Sequence, residues 1–342
     1  MSSRRTGIVL TEHGGAEVLR VRSLAPQAPA PGEVRVAVTH VALNHLDLWV
    51  RKGVPGHDFH LPRIPGSDVA GVLLDPTPTL PSGTAVVLHP SWGCGVCPAC
   101  LDGHQDRCRA FRIRGENADG GCVTEVVVPA WQVLPIPAHL APREAVALPL
   151  TLLTAWHMLV TRGRLARGER VLVQAGGSGV GVMAIQIAQL YGCEVHATAS
   201  TEGRRALLTA MGVRAWPYDA IGARDVDVVV ESVGETTWAA SLRALAWGGR
   251  LVCCGATSGP DVHLNLRAVF FKQLEIVGAT MGSTGELLRA WREVEAGRIR
   301  PIVDRVLPMS RIADAHAILE GRAAFGKIVL EQDLATASLE SP

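Results

Sequence analysis

Along the chain, apolar positions change their period most clearly between residues 171 and 199. Val171-Leu172-Val173 is a short continuous apolar run, suited to a strand buried on both faces. A glycine turn follows at once, Ala175-Gly176-Gly177-Ser178-Gly179-Val180-Gly181. Val180, Met183, Ala184, Ile187 and Leu190 then recur at three- and four-residue steps up to Tyr191-Gly192, where glycine can take a left-handed C-terminal cap. A second apolar run over 195–199 completes a βαβ crossover.

Elsewhere the period divides the chain in two. Val34, Val36 and Val38 alternate after the turn Pro31-Gly32, so residues 7–40 read as antiparallel β, and 85–88 as a further strand. From about Thr151 strands and helices alternate, which marks a domain boundary. Residues 227–230, 251–254 and 274–277 are apolar strands, and 236–246 reads as a helix ended by Gly248-Gly249. Ser283-Thr284-Gly285-Glu286 has capping-box spacing for a helix to about Ala296. Ser310 is expected to cap a last helix ending near Gly321, residues 325–330 to form a closing strand, and the chain after Asp333 to fray. The fold class is α/β, alternating strands and helices following a β-rich domain. The boundaries fall at 1–150, 151–283 and 284–342.

Composition narrows the function classes. A chain of 342 residues with 48% hydrophobic residues is long enough for two domains, and a formal net charge of +1 gives no reason to expect nucleic acid or a membrane surface as partner. The first residues run into a strand-like segment instead of a signal peptide, so the cytoplasm is the expected compartment and a small molecule the expected substrate.

The glycine turn lets backbone N–H groups and a positive helix end meet a pyrophosphate, although Ser178 stands where G-x-G-x-x-G has its middle glycine. A tight turn without a ligand is the plainer alternative. At the end of the second strand an acidic residue would favour NAD. Here Thr198-Ala199-Ser200-Thr201 stands in that place, with Glu202 later and Arg204 and Arg205 within reach of a 2′-phosphate. NADPH is therefore expected over NADH, through Ser200, Arg204 and Arg205, unless the arginines are only a solvated helix face.

Cys94, Cys97, Cys100 and Cys108 form C-x2-C-x2-C-x7-C in a loop over 91–115. Four thiolates match a closed tetrahedral zinc, hence one structural Zn²⁺, with an iron–sulfur cluster as the lesser alternative. The scattered Cys122, Cys193, Cys253 and Cys254 read as small buried hydrophobes.

Taken in order, the β-rich first half, the four-cysteine loop, the glycine-turn βαβ unit and the closing Gly326-Lys327-Ile328-Val329-Leu330 resemble the medium-chain dehydrogenase/reductase family over nearly the whole chain. The resemblance implies a partly open β-barrel catalytic domain to which residues 284–342 return, a Rossmann domain built on a doubly wound parallel sheet, a cleft between them, and a homodimer or higher homo-oligomer through an edge strand near residues 274–280. Zinc alcohol dehydrogenases of the family hold a second, catalytic zinc. Matched motif by motif, Asn44 stands at its first Cys, Ser67 at its His and a residue near Leu150 at its last Cys, while Leu46 replaces the hydroxyl that begins the proton relay. None of these is a good zinc ligand, and Asn44-x-x-Asp47 with Pro65-Gly66-Ser67-Asp68 is similar in form to the quinone oxidoreductase and enoyl reductase branches.

The chemistry points the same way. An isolated carbonyl needs strong stabilisation of the developing alkoxide, whereas a conjugated one spreads that charge and accepts hydride at its β-carbon with weaker help. Asn44 and His45 are the expected donors to the carbonyl, His45 alternatively contacting cofactor phosphates or capping a turn, and Asp47 and Asp68 a structural polar pair. Three readings stay open: an NADPH-dependent reductase of quinones or α,β-unsaturated carbonyls; an alcohol or aldehyde dehydrogenase with a metal drawn from His45, Asp47 and Asp68; and a nucleotide-binding protein without turnover.

Overall fold

In the computed structural model, which describes residues 4–222 and 224–335, the chain separates into one unit of residues 1–150 with 301–342 and another of residues 151–300. The first opens with β1 (Arg5–Leu10) and β2 (Leu19–Leu24), an antiparallel pair. In β3 (Glu33–Ala42) the alternating Val34, Val36 and Val38 are the buried face, as the period of two requires. Then come α1 (His45–Lys52), β4 (Asp68–Leu73), β5 (Ala85–Leu88), the short antiparallel pair β6 (Ser91–Trp92) and β7 (Arg112–Ile113), β8 (Glu125–Pro129) and β9 (Val133–Pro135). Pro142–Arg162 is long and apolar enough to cross a membrane, yet 83% of its apolar window is buried inside the fold, as in a core helix. Its second part is α2 (Pro149–Trp156), continued by a π turn at His157–Arg162.

The second unit is built on β10 (Arg170–Val173), α3 (Gly179–Leu190), β11 (Glu194–Thr198), α4 (Glu202–Ala210), β12 (Arg214–Trp216), β13 (Val226–Glu231), α5 (Glu235–Ala244), β14 (Leu245–Cys253), α6 (Leu266–Lys272), β15 (Glu275–Gly278) and α7 (Thr284–Glu295). Its strands form one parallel sheet in the order β12-β11-β10-β13-β14-β15. The order reverses beside β10, which puts the glycine turn at the switch point where such sheets bind ligands. Val171, Leu172 and Val173 are fully buried, because parallel strands are covered on both faces.

The chain then re-enters the first unit through β16 (Val303–Pro308), α8 (Ile312–Glu320) and β17 (Lys327–Glu331). β17 pairs antiparallel with β3, closing a seven-stranded sheet in the order β16-β17-β3-β4-β5-β9, with β8 also on β3.

Several sequence expectations are corrected. The boundary at 283 moves to 300, because α7 buries Leu287, Trp291 and Val294, and the Gln186 amide exchanges hydrogen bonds of 2.9 Å with the backbone of Arg300. α5 stops at Ala244, and Gly248-Gly249 lie inside β14. Pairing slips from Val226↔Leu245 to Val228↔Arg250, so the residues between bulge out and leave Trp247 exposed. Ser310 does not cap α8; it lies in the 3-10 turn Met309–Arg311 and its hydroxyl donates to Asp333 at 2.5 Å. After Asp333 the chain does not fray at once, since Leu334 is buried in the core; the rest of the expected frayed tail, 336–342, lies outside the described residues. Of the scattered cysteines only Cys122 is fully buried, the other three being half-buried.

Candidate functional site

The glycine turn is shaped by close packing. A Cβ on Gly176 would meet the Ala197 Cβ at 2.8 Å, and one on Gly181 the Ala175 carbonyl oxygen at 2.5 Å. Ser178, the departure from the glycine fingerprint, is the N-cap of α3: its Oγ accepts from the Gly181 N–H at 3.0 Å. Ala175 takes a left-handed φ of 51°, and its N–H donates to Thr198 Oγ at 3.0 Å. That hydroxyl donates in turn to Gln174 Oε1 at 2.6 Å, and the Gln174 amide donates to Ser241 Oγ at 2.9 Å. Ser241 donates to the buried carboxylate of Glu231 at 2.6 Å, which also accepts from Thr237 and from the N–H groups of Val233 and Gly234. This chain of buried polar groups ties the turn to β13 and α5. Sequence reasoning missed it; the signal was Glu231 ending the apolar run Val226–Glu231, where an acid is buried only with full hydrogen bonding.

At the end of β11, Thr201 caps α4 and both arginines fold back over the strand terminus. Arg204 donates to Ser200 Oγ at 3.4 Å, and Arg205 to the carbonyls of Ala199 and Ser200 at 3.2 and 3.3 Å. Ser200, Arg204 and Arg205 are thus gathered at one place. Gly177, Gly179 and Val180 complete the turn at the start of α3.

In the first unit, Asn44 is the N-cap of α1 and Asp47 stands three residues on. Both Asp47 oxygens are occupied, accepting from the N–H groups of Asn44 at 2.7 Å and Gly66 at 3.0 Å. Burial raises its pKa to about 6 against those hydrogen bonds. Asp47 is therefore a local clamp and not the partner of Asp68. Asp68, fully buried, accepts from the Leu150 N–H at 2.7 Å, from the Asn44 amide at 3.0 Å and from the Lys327 ammonium at 3.0 Å. Lys327 also donates to Asn44 Oδ1 at 2.5 Å.

Positions 44, 67–68 and 150 thus converge, with the lysine ammonium among them. This corrects the role expected of Asn44. Its amide hydrogens already face Asp68 and, at 3.4 Å, the Ala42 carbonyl, so it orients Lys327 and has no donor left for a substrate oxygen. The buried Ser67 hydroxyl has no partner among the described residues. His45 is held neutral, its pKa lowered to about 4 by burial and by the charges of Arg322 and Lys327. His57 and His60 stay solvent-accessible, as their Gly/Pro-rich loop implies. Lys327 was legible only as a strand residue.

The four loop cysteines place their sulfurs within 4.8 Å of one another, and Cys94 and Cys100 are 4.0 Å apart. Tetrahedral zinc with bonds of about 2.3 Å needs sulfur separations of about 3.8 Å. Gly93 permits the approach, since a Cβ there would meet Cys100 Sγ at 2.5 Å. Backbone N–H groups of Val96 and Cys97 pull the Cys94 thiol down to about 6, favouring the thiolate that binds metal. The donor set fits a structural zinc with no position left for water. Among the described residues no second group of this kind forms around His45, Asp47 and Asp68.

Comparison with known proteins adds to this geometry. Residues 30–138 match the family described as alcohol dehydrogenase GroES-like domain and residues 179–296 the one described as zinc-binding dehydrogenase. Human quinone oxidoreductase is 26% identical over 343 residues, covering 93% of this chain and 95% of that protein. The crystal structure of an NAD-dependent alcohol dehydrogenase superposes with a TM-score of 0.90 at 39% identity, covering 95% of this chain and 99% of that one. A thermostable alcohol dehydrogenase from Pyrobaculum aerophilum gives 0.87 at 31% identity, covering 96% and 100%.

Proposed function

Since this chain belongs to the medium-chain dehydrogenase/reductase family and is an NAD(P)H-dependent oxidoreductase, we propose that it uses NADPH to reduce a quinone or α,β-unsaturated carbonyl without a catalytic zinc. The observation that carries this reading is the Lys327 ammonium, held by Asp68 and Asn44 where the zinc alcohol dehydrogenases gather their catalytic ligands. A cation supplied by the chain itself can stabilise an enolate or quinol oxygen. It also opposes a dication beside it, and both Asp68 oxygens are already engaged.

Two of the three Lys327 N–H donors are used, and the third is assigned to the substrate oxygen. The glycine turn over 175–181 with Ser200, Arg204 and Arg205 would hold the dinucleotide, which when bound would supply a hydride to the β-carbon of the conjugated carbonyl; Lys327 is then the group that faces the charge gathering on the carbonyl oxygen. The proton that completes the product comes from water, because His45, neutral at pH 7, is no imidazolium acid. The four-cysteine zinc, when bound, supplies folding energy to its loop and takes no part in these steps.

Human quinone oxidoreductase supports this substrate class, and Ser200 with both arginines supports NADPH. The NAD-dependent alcohol dehydrogenase at 39% identity favours the second reading, alcohol oxidation with NAD. Stopped assays decide between them. NADPH oxidation by a quinone and enone panel is expected, with kcat reduced roughly 10²–10³-fold in Lys327→Met, largely restored in Lys327→Arg, and NADPH affinity unchanged. Rapid ethanol oxidation abolished by chelation, with no quinone or enone turnover, would overturn the reading.

A further inference from the structure

A second polar cluster lies in the first unit, where the chain leaves β5, passes through β6 and β7, and turns into β9. It consists of His89, Ser91, Arg114 and Gln132, none more than 4% exposed. Arg114 Nη2 donates to Gln132 Oε1 at 2.6 Å, and the guanidinium lies 5.3 Å from the centre of the Trp92 ring. No carboxylate pairs with this cation among the described residues, and burial alone lowers its pKa, to about 10, so it stays charged at neutral pH. A buried unpaired charge is costly unless something compensates it.

The unsatisfied atoms here are of one kind. Arg114 Nε, Gln132 Nε2, His89 Nε2 and Ser91 Oγ are all enclosed and without a hydrogen-bond partner. The Gln132 oxygen is taken by Arg114, which leaves its NH₂ as the unpartnered end of the amide. His89 Nδ1 accepts from the Ser91 N–H at 3.3 Å, so the neutral ring carries its proton on Nε2. The four residues are neighbours, the His89 backbone N–H donating to the Gln132 backbone carbonyl and the Arg114 backbone N–H to the Pro90 carbonyl, both at 2.8 Å, so four orphan groups of one cluster can all donate, one of them charged, and no acceptor among the described residues answers them. Water could accept hydrogen bonds but would leave the charge in place.

The geometry points to an anion site, in which Arg114, Gln132, His89 and Ser91 enclose a monatomic inorganic anion of chloride's charge and size. The small size follows from the enclosure of all four donor atoms. A surface cavity of about 440 Å³, walled by Trp92, Arg112 and Trp131, lies beyond the two tryptophans that contact these residues and would be the route of entry. The Trp92 ring covers Arg114, and the half-exposed Trp131 meets His89 edge-on at 6.0 Å. The ion would neutralise the guanidinium and pin the β6–β7 pair, from which the cysteine loop springs.

The experiment compares thermal unfolding of the full chain in sodium chloride and in sodium gluconate at equal ionic strength, gluconate being too large to enter. The midpoint of the parent is expected to rise by a few degrees in chloride and to saturate with concentration. Arg114→Leu, which removes the buried charge, is expected to unfold at the same temperature in both salts and above the parent in gluconate. Crystals soaked in bromide should show anomalous density bonded to Arg114 Nε. Equal midpoints in both salts for the parent, a chloride response retained in Arg114→Leu, or water alone at the site would each overturn the assignment. The parent's own salt comparison decides the matter even if the variant does not fold.

Discussion

A buried lysine is only stable when paired, and Lys327 finds its partners far away in sequence, 283 residues from Asn44 and 259 from Asp68. That separation is why the sequence could show a lysine inside an apolar strand but not what it serves. Arg204 is the opposite case: its role is local, read from its place just past β11, and the guanidinium does lie against Ser200. A 2′-phosphate there would gain a charge-assisted hydrogen bond worth about 1.5–3 kcal/mol. Arg204→Ala is therefore expected to weaken NADPH binding roughly ten- to a hundred-fold and leave NADH binding nearly unchanged, as read by fluorescence titration of the two cofactors. Equal, unaltered affinities would reduce the arginine to a surface charge.

Among the elements, legibility tracked period. The β10-turn-α3-β11 unit and the capping box of Ser283 and Glu286 stand where spacing put them, because each is specified by residues a few positions apart. The failures came where tertiary pairing overrode a local signal. Gly248-Gly249 looked like a helix stop, yet the pairing of β14 with β13 draws Leu245 into the sheet first. Ser310 looked like a cap until Asp333, 23 residues on, took its hydroxyl. The cysteine loop belongs with the legible elements, since all four ligands lie within one short segment. It has little apolar core of its own, with Val96 and Leu101 exposed, so a metal bound by the four cysteines would be what holds it. Cys97→Ser is expected to lose zinc and loosen residues 91–115 in hydrogen exchange while cofactor affinity persists. Parent-like metal content in that variant would reject the ligand assignment.

For the whole molecule, the open question is what covers the edge of the six-stranded sheet. β15 is its last strand, and Ile276 on it is 38% exposed. The preceding α6 adds Leu266, Phe270 and Phe271, each more than 60% exposed, so apolar residues gather along one sequence stretch beside unpaired backbone groups. Natural proteins protect such an edge with charge, a bulge or a covering element, and a patch of this kind marks an interface. A second copy of the chain would satisfy both needs at once. Two β15 strands related by a twofold axis would run antiparallel, joining two six-stranded sheets and burying the aromatic residues in an isologous contact. We therefore expect sedimentation equilibrium to report a dimer at micromolar concentration. Phe271→Asp combined with Ile276→Lys should shift it to monomer while far-UV circular dichroism stays native, because neither side chain belongs to the buried core of its own unit. A parent chain that is monomeric throughout the concentration range would leave the edge uncovered and refute the interface.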